Sequence, residues 1–114
     1  MIEWYNELLN IFFDNQKEIE EMKELFLDYR QKMIDYNIEL YAEHFNADDE
    51  KNELKKNKEA EIDNYILNIL VGNNKYEINL FDIEFLKKEI KQLEEMINKV
   101  KKNKKWKKYY RKQI

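Results

Sequence analysis

Residues 2–45 read IEWYNELLNIFFDNQKEIEEMKELFLDYRQKMIDYNIELYAEHF. Within them Tyr5, Leu8, Phe12, Asn15, Ile19, Met22, Phe26, Tyr29, Met33, Tyr36 and Leu40 recur at alternating steps of three and four. That is the a/d seam of an amphipathic helix, held for about five heptads, with one polar member, Asn15. As a single helix the segment would be roughly 60 Å long at about 1.5 Å per residue. Leu27, Ile34, Ile38, Tyr41 and Phe45 flank the seam and widen it toward the broader apolar stripe of a bundle helix. Asp14-Asn15 followed by Glu18 also carries a helix-start pattern, a capping residue with an acid close behind it, which would split the element. The unbroken register across Asn15 favours one continuous helix.

A second seam lies downstream. Ile83, Leu86, Ile90, Leu93, Ile97 and Val100 keep heptad spacing, and Asn79 or Asp82 can cap the start of this helix. Past Val100 the seam positions turn to Asn103 or Lys104 and then Lys107, so apolar burial stops there. Residues 46–58 are polar with one large apolar side chain, Leu54, and read as a connection or a solvated helix capped by Asn46 or Asp48. Residues 59–81 admit two structures. Ile62, Tyr65, Ile66, Ile69 and Leu70 match the helical template, with Gly72 just past its end. The same stretch also fits a β-hairpin turning at Gly72-Asn73. The helix is favoured, with a short extended segment at Tyr76, Ile78 and Leu80. The expectation is therefore an all-α chain, or a mostly α one with a short hairpin near 65–80. Its long amphipathic helices would pack as an antiparallel helical hairpin or coiled-coil bundle. A homo-oligomer is expected too, because long seamed helices in 114 residues tend to need a partner over their apolar stripes.

Composition narrows the chemistry. The chain has no Ser, Thr, Cys or Pro, and single copies of Gly and His. Hydroxyl and thiol nucleophiles other than tyrosine are missing, as are cysteine metal sites, and one glycine cannot build a phosphate-binding loop. Hydrophobic residues make up 43% and charged residues 39%, too apolar for a disordered chain and too charged for a membrane span. No basic secretory leader is visible at Met1-Ile2-Glu3-Trp4, and a cytoplasmic, intracellular setting is the default, inside a host cell if the chain is phage-encoded. The net charge of −3 averages two unlike parts: residues 1–98 carry −12 and residues 99–114 carry +9. These parts give an acidic helical body over 1–98 and a basic, aromatic-containing extension of the last helix over 99–114.

Two charged features are candidate sites. In the extension, Lys101, Lys102, Lys104, Lys105, Lys107, Lys108, Arg111 and Lys112 surround Trp106, Tyr109 and Tyr110. Lysines neutralise phosphates and aromatic rings stack on bases, so this segment suits RNA, DNA or an anionic surface. A solvated tail whose rings pack on the bundle end explains it as simply. In an antiparallel pairing that end would lie near Trp4 and Tyr5, with Glu3, Glu7 and Asp14 complementing its charge. The second feature is the acidic crowd Glu18, Glu20, Glu21, Glu24, Asp28, Asp35 and Glu39. A row of exposed carboxylates can occupy a nucleic-acid channel in a basic protein, although a solvated helix face looks the same in sequence. Phe12, Phe26, Tyr29, Tyr36, Tyr41 and Phe45 read as core, or as a groove for a partner helix.

The remaining features point to no chemistry. His44 has no nucleophile to activate, and Asp48-Asp49-Glu50 with Glu53 lacks calcium-loop spacing and its glycine. The Glu-x-Lys triplets at 21–23 and 53–55 lie in helical or loop context rather than on the strand a nuclease site needs. No catalytic residue, cofactor or metal is expected. The sequence points to a small non-enzymatic interaction protein, an inhibitor or adaptor of the mobile-element or phage type. It would bind a partner protein, such as a basic nucleic-acid-handling one, through its acidic or aromatic helical surface. The alternative is a nucleic-acid-binding accessory protein that uses the basic extension.

Overall fold

The computed structural model describes residues 2–41, 48–70 and 79–113, with side chains described over 3–41, 52–69 and 79–103. Four helices account for nearly all of them: α1 (Ile2–Phe12), α2 (Gln16–Tyr41), α3 (Asp48–Leu70) and α4 (Ile83–Gln113). The described residues include no strand. The fold is an all-α bundle in which α2 packs against each of the other three helices. It is a rod of 61 × 27 × 27 Å with a radius of gyration of 17.0 Å. A compact chain of this length would have a radius of gyration of about 13 Å.

The single helix expected over 2–45 is interrupted at 13–15, and Asn15 is the cause. Its side-chain Oδ1 accepts a hydrogen bond from the Lys17 amide at 2.9 Å, and its carbonyl accepts the first helical bond from Ile19 at 3.1 Å. Asn15 is therefore the N-cap of α2. The break turns α1 back on α2, which lets Tyr5 stack on Phe26 with ring centroids 3.8 Å apart. An unbroken rod would carry Tyr5 and Leu9 away from this core. Burying these two side chains outweighs the few backbone hydrogen bonds lost at a three-residue turn. His44 and Phe45, from the end of the expected helix, lie outside the described residues.

The ambiguous middle is helical through Leu70, so the first strand of the alternative hairpin does not form. Ile62 and Ile66 enter the core and Ile69 packs against it, as the helical template requires. The hairpin turn, with Tyr76 and Ile78, lies outside the described residues, while Leu80 sits buried in a turn. Both expected caps of the last helix act in series. Asn79 Oδ1 accepts from the Phe81 amide at 3.0 Å, and Asp82 Oδ1 accepts from the Glu84 amide at 3.0 Å.

Cross-helix pairs fix the directions. Glu21 meets Lys87 at 3.5 Å and Lys32 meets Glu94 at 3.7 Å, so α2 and α4 run the same way. Arg30 pairs with Asp63, and the Lys58 ammonium lies 4.3 Å from the centroid of the Tyr41 ring, so α3 runs against α2. The antiparallel relation thus holds between neighbours in sequence, and the two seamed helices lie parallel. The core runs from Tyr5 and Leu9 through Ile19, Met22, Phe26, Tyr29 and Ile34 to Leu86 and Ile90. It leaves the basic end of α4 beside the far end of α2 and away from the α1–α2 turn. The expected approach of that end to Trp4 and Tyr5 within one chain does not occur.

Candidate interaction surfaces

The acidic residues of α2 sort by their angular position. Glu21, Glu24, Asp28, Asp35 and Glu39 follow steps of three, four, seven and four, so they lie along one line of the helix. Glu20 flanks that line and Glu18 stands in the first turn, where its charge suits the helix dipole. Glu18, Glu20, Glu21, Glu24 and Asp28 are exposed, and Asp35 and Glu39 are half-buried. Several have local partners: Glu21 with Lys87, Asp28 with Lys32 at 3.9 Å, and Asp35, which accepts from Gln31 Nε2 at 2.9 Å. The ion pairs sit in water and are each worth about 0–1 kcal/mol, so an incoming cation can displace them at little cost.

Toward the far end the acidic line borders a groove of about 480 Å³ between α2 and α4. Lys32, Asp35 and Glu39 line it from α2, and Glu94, Asn98 and Lys101 from α4, over a floor that includes Ile38 and Ile97. Glu94 is the addition that sequence spacing did not single out. It joins the line only because α2 and α4 run parallel.

The basic extension is the continuation of α4, which runs unbroken across residue 99 to Gln113. Lys101 and Lys102 are exposed. Lys104, Lys105, Trp106, Lys107, Lys108, Tyr109, Tyr110, Arg111 and Lys112 lie on the helix where only the backbone is described. The groove places Lys101 level with Glu39, so the twelve helical residues that follow Lys101 reach about 18 Å beyond that level at ~1.5 Å each.

The aromatic residues divide. Phe26 and Tyr29 are core, Tyr36 is half-buried, and Phe12 and Tyr41 are exposed at opposite ends of the bundle. Burial raises the phenol pKa values of Tyr5 and Tyr29 well above the usual tyrosine range, and for Tyr29 the nearby Tyr65 and Glu89 add to the effect. The Tyr5 hydroxyl donates to the Leu80 carbonyl at 2.6 Å and ties α1 to the entry of α4. These phenols serve packing. The Arg30 guanidinium is likewise structural: Nε and Nη2 donate to the two Asp63 oxygens at 2.7 and 3.1 Å, which raises its pKa. Among the described residues no cluster of His, Cys, Asp and Glu could hold a metal ion, and no helix is long and apolar enough to cross a membrane.

One exposed apolar surface joins a seam residue, Phe12, to two residues outside the seam. Trp4, Ile11 and Phe12 are 41%, 72% and 61% exposed on α1, although Tyr5 and Leu9 of the same helix are fully buried. Trp4 and Ile11 are seven residues apart and off the a/d line, and that spacing was the available signal. Comparison of the chain with protein-family models, with curated proteins and with solved structures finds no match.

Proposed function

We propose that this chain is a small non-enzymatic interaction protein, an inhibitor or adaptor that docks on a basic partner protein through the acidic line of α2. The observation that supports this reading is the run Glu21, Glu24, Asp28, Asp35 and Glu39 on one side of one helix, extended by Glu94 across the groove. The row spans about 27 Å at ~1.5 Å per residue, and a rigid bundle holds it in place. It offers a basic protein the charge sign that a nucleic-acid backbone offers, with the geometry set before binding. The non-enzymatic reading rests on composition: hydroxyl and thiol nucleophiles other than tyrosine are missing. An intracellular setting is part of the same proposal.

The test is affinity capture from the native host with the full chain as bait, with mass spectrometry identifying what is retained. A stoichiometric basic protein is expected, released by salt. The variant Glu20→Lys, Glu21→Lys, Glu24→Lys should bind it at least tenfold more weakly. Unchanged affinity overturns the docking face.

A second reading takes support from the projection of α4 beyond the end of α2. A helix bearing nine cations over 99–114 fits the phosphates of RNA or DNA, making the chain a nucleic-acid accessory protein. In that case binding to generic duplex or single strand falls steeply between about 50 and 200 mM salt and is lost on deletion of residues 99–114. Equal binding by the truncated chain removes this reading.

A further inference from the structure

The parallel run of α2 and α4 leaves two complementary surfaces at opposite ends of one rod. At one end Trp4, Ile11 and Phe12 are exposed on α1, with exposed Glu3, Glu7 and Asp14 around them. Residues 1–16 contain no Lys or Arg. Trp4, Glu7 and Ile11 follow steps of three and four, so the carboxylate sits on the same line as the two apolar side chains. At the other end the α4 extension carries nine cations, no acid and three aromatic residues. Lysine stems and aromatic rings cover apolar surface while their charged or polar tips meet carboxylates. Within one chain the two ends stand on opposite sides of the core and do not meet.

We propose that the α1 patch is a docking surface for a second copy of this chain. Two rods lie side by side in opposite directions, and the basic end of α4 in each copy covers Trp4, Ile11 and Phe12 of the other. This arrangement goes beyond docking on a foreign partner. It uses each end of each copy once, forms the same contact twice and closes with two-fold symmetry, leaving no free end for further addition. Attraction between a −3 segment and a +9 segment sets the direction of pairing, because the reverse alignment would bring like ends together.

The experiment is light scattering on the full chain at low salt, with two charge-swapped variants. One is Glu3→Lys, Glu7→Lys, Asp14→Lys. The other is Lys101→Glu, Lys102→Glu, Lys104→Glu, Lys105→Glu, Lys107→Glu, Lys108→Glu, which takes residues 99–114 from +9 to −3. Neither alters a residue of the described buried core, and circular dichroism verifies that each stays helical. The unaltered chain should show twice its 14.3 kDa mass. Each variant alone should show the single-chain mass, and an equimolar mixture should return to the doubled mass, since in the mixed pair both contacts regain opposite signs. An unaltered chain at single-chain mass overturns the proposal, as does a mixture that stays there. Masses above two copies indicate an open head-to-tail chain and overturn the closed pair. Ile11→Ser is the further control. Loss of the doubled mass supports docking at α1, whereas a lowered melting temperature at unchanged mass assigns the patch to a cover within the chain and overturns it.

Discussion

At the residue scale, a few side chains do work that packing alone would not. The Tyr5 hydroxyl satisfies the buried Leu80 carbonyl at 2.6 Å. Tyr5→Phe keeps the ring stack on Phe26 but orphans that carbonyl, and should cost about 1–3 kcal/mol in urea unfolding. Tyr5→Ala also empties a fully buried site and should cost about 3–5 kcal/mol. The raised phenol pKa values of Tyr5 and Tyr29 set an alkaline limit. Below the ordinary tyrosine value of 10.0 both states keep these protons. Above it the unfolded chain releases them first, so stability falls as pH rises. The melting temperature should decline beyond pH 10, and less steeply in Tyr29→Phe; an equal decline in that variant would show that other groups set the limit. That Tyr5, Phe26 and Tyr29 are core was legible from their a/d positions. The Tyr5–Leu80 bond was not, because it joins residues 75 apart in sequence, and no local pattern encodes such a pair.

At the scale of elements, Asn15 decides the topology. The three-four register continues across it, so periodicity alone sees one helix, while the capping pattern with Glu18 signals two. The cap prevails because the turn lets α1 bury Tyr5 and Leu9 on α2, a gain that no seam count contains. Asn15→Ala should destabilise the fold by about 1 kcal/mol, and Asp82→Ala, at the start of α4, by a similar amount. Thermal melts of the two variants and their double mutant check this, and the two effects should add because the caps share no partner. The direction of α4 was the least legible feature. Heptad spacing specifies which face is apolar but leaves the sense of packing open, and two seamed helices satisfy it either way. The sense came from α3, whose helical pattern in 59–70 was visible but whose polar first half made a connection equally good on paper. With three long helices in sequence and tight neighbours antiparallel, the first and third must run parallel.

At the scale of the whole molecule, parallel packing converts a charge asymmetry in sequence into one in space. The acid-rich residues of α1 and α2 and the basic end of α4 were plain in composition, and so were their candidate roles. Their placement in the fold was not. At high salt, where charge-steered pairing of copies is screened, deleting residues 104–114 should leave the melting temperature within a few degrees, because no described core residue lies beyond Ile97; a large drop would show that the extension stabilises the bundle. The absence of cysteine makes the central claim directly measurable. Cysteines placed at Asp14 and Lys102, both exposed, can be spin-labelled and their separation measured by pulsed electron–electron resonance in a sample diluted with unlabelled chain. Asp14 lies near the level of Asp82, so about twenty residues of α4 separate the two labels along the rod. Parallel α2 and α4 predict a distance of about 30–35 Å at ~1.5 Å per residue. A distance under about 20 Å, as an antiparallel pairing with the basic end beside Trp4 would give at that same rise per residue, contradicts the account.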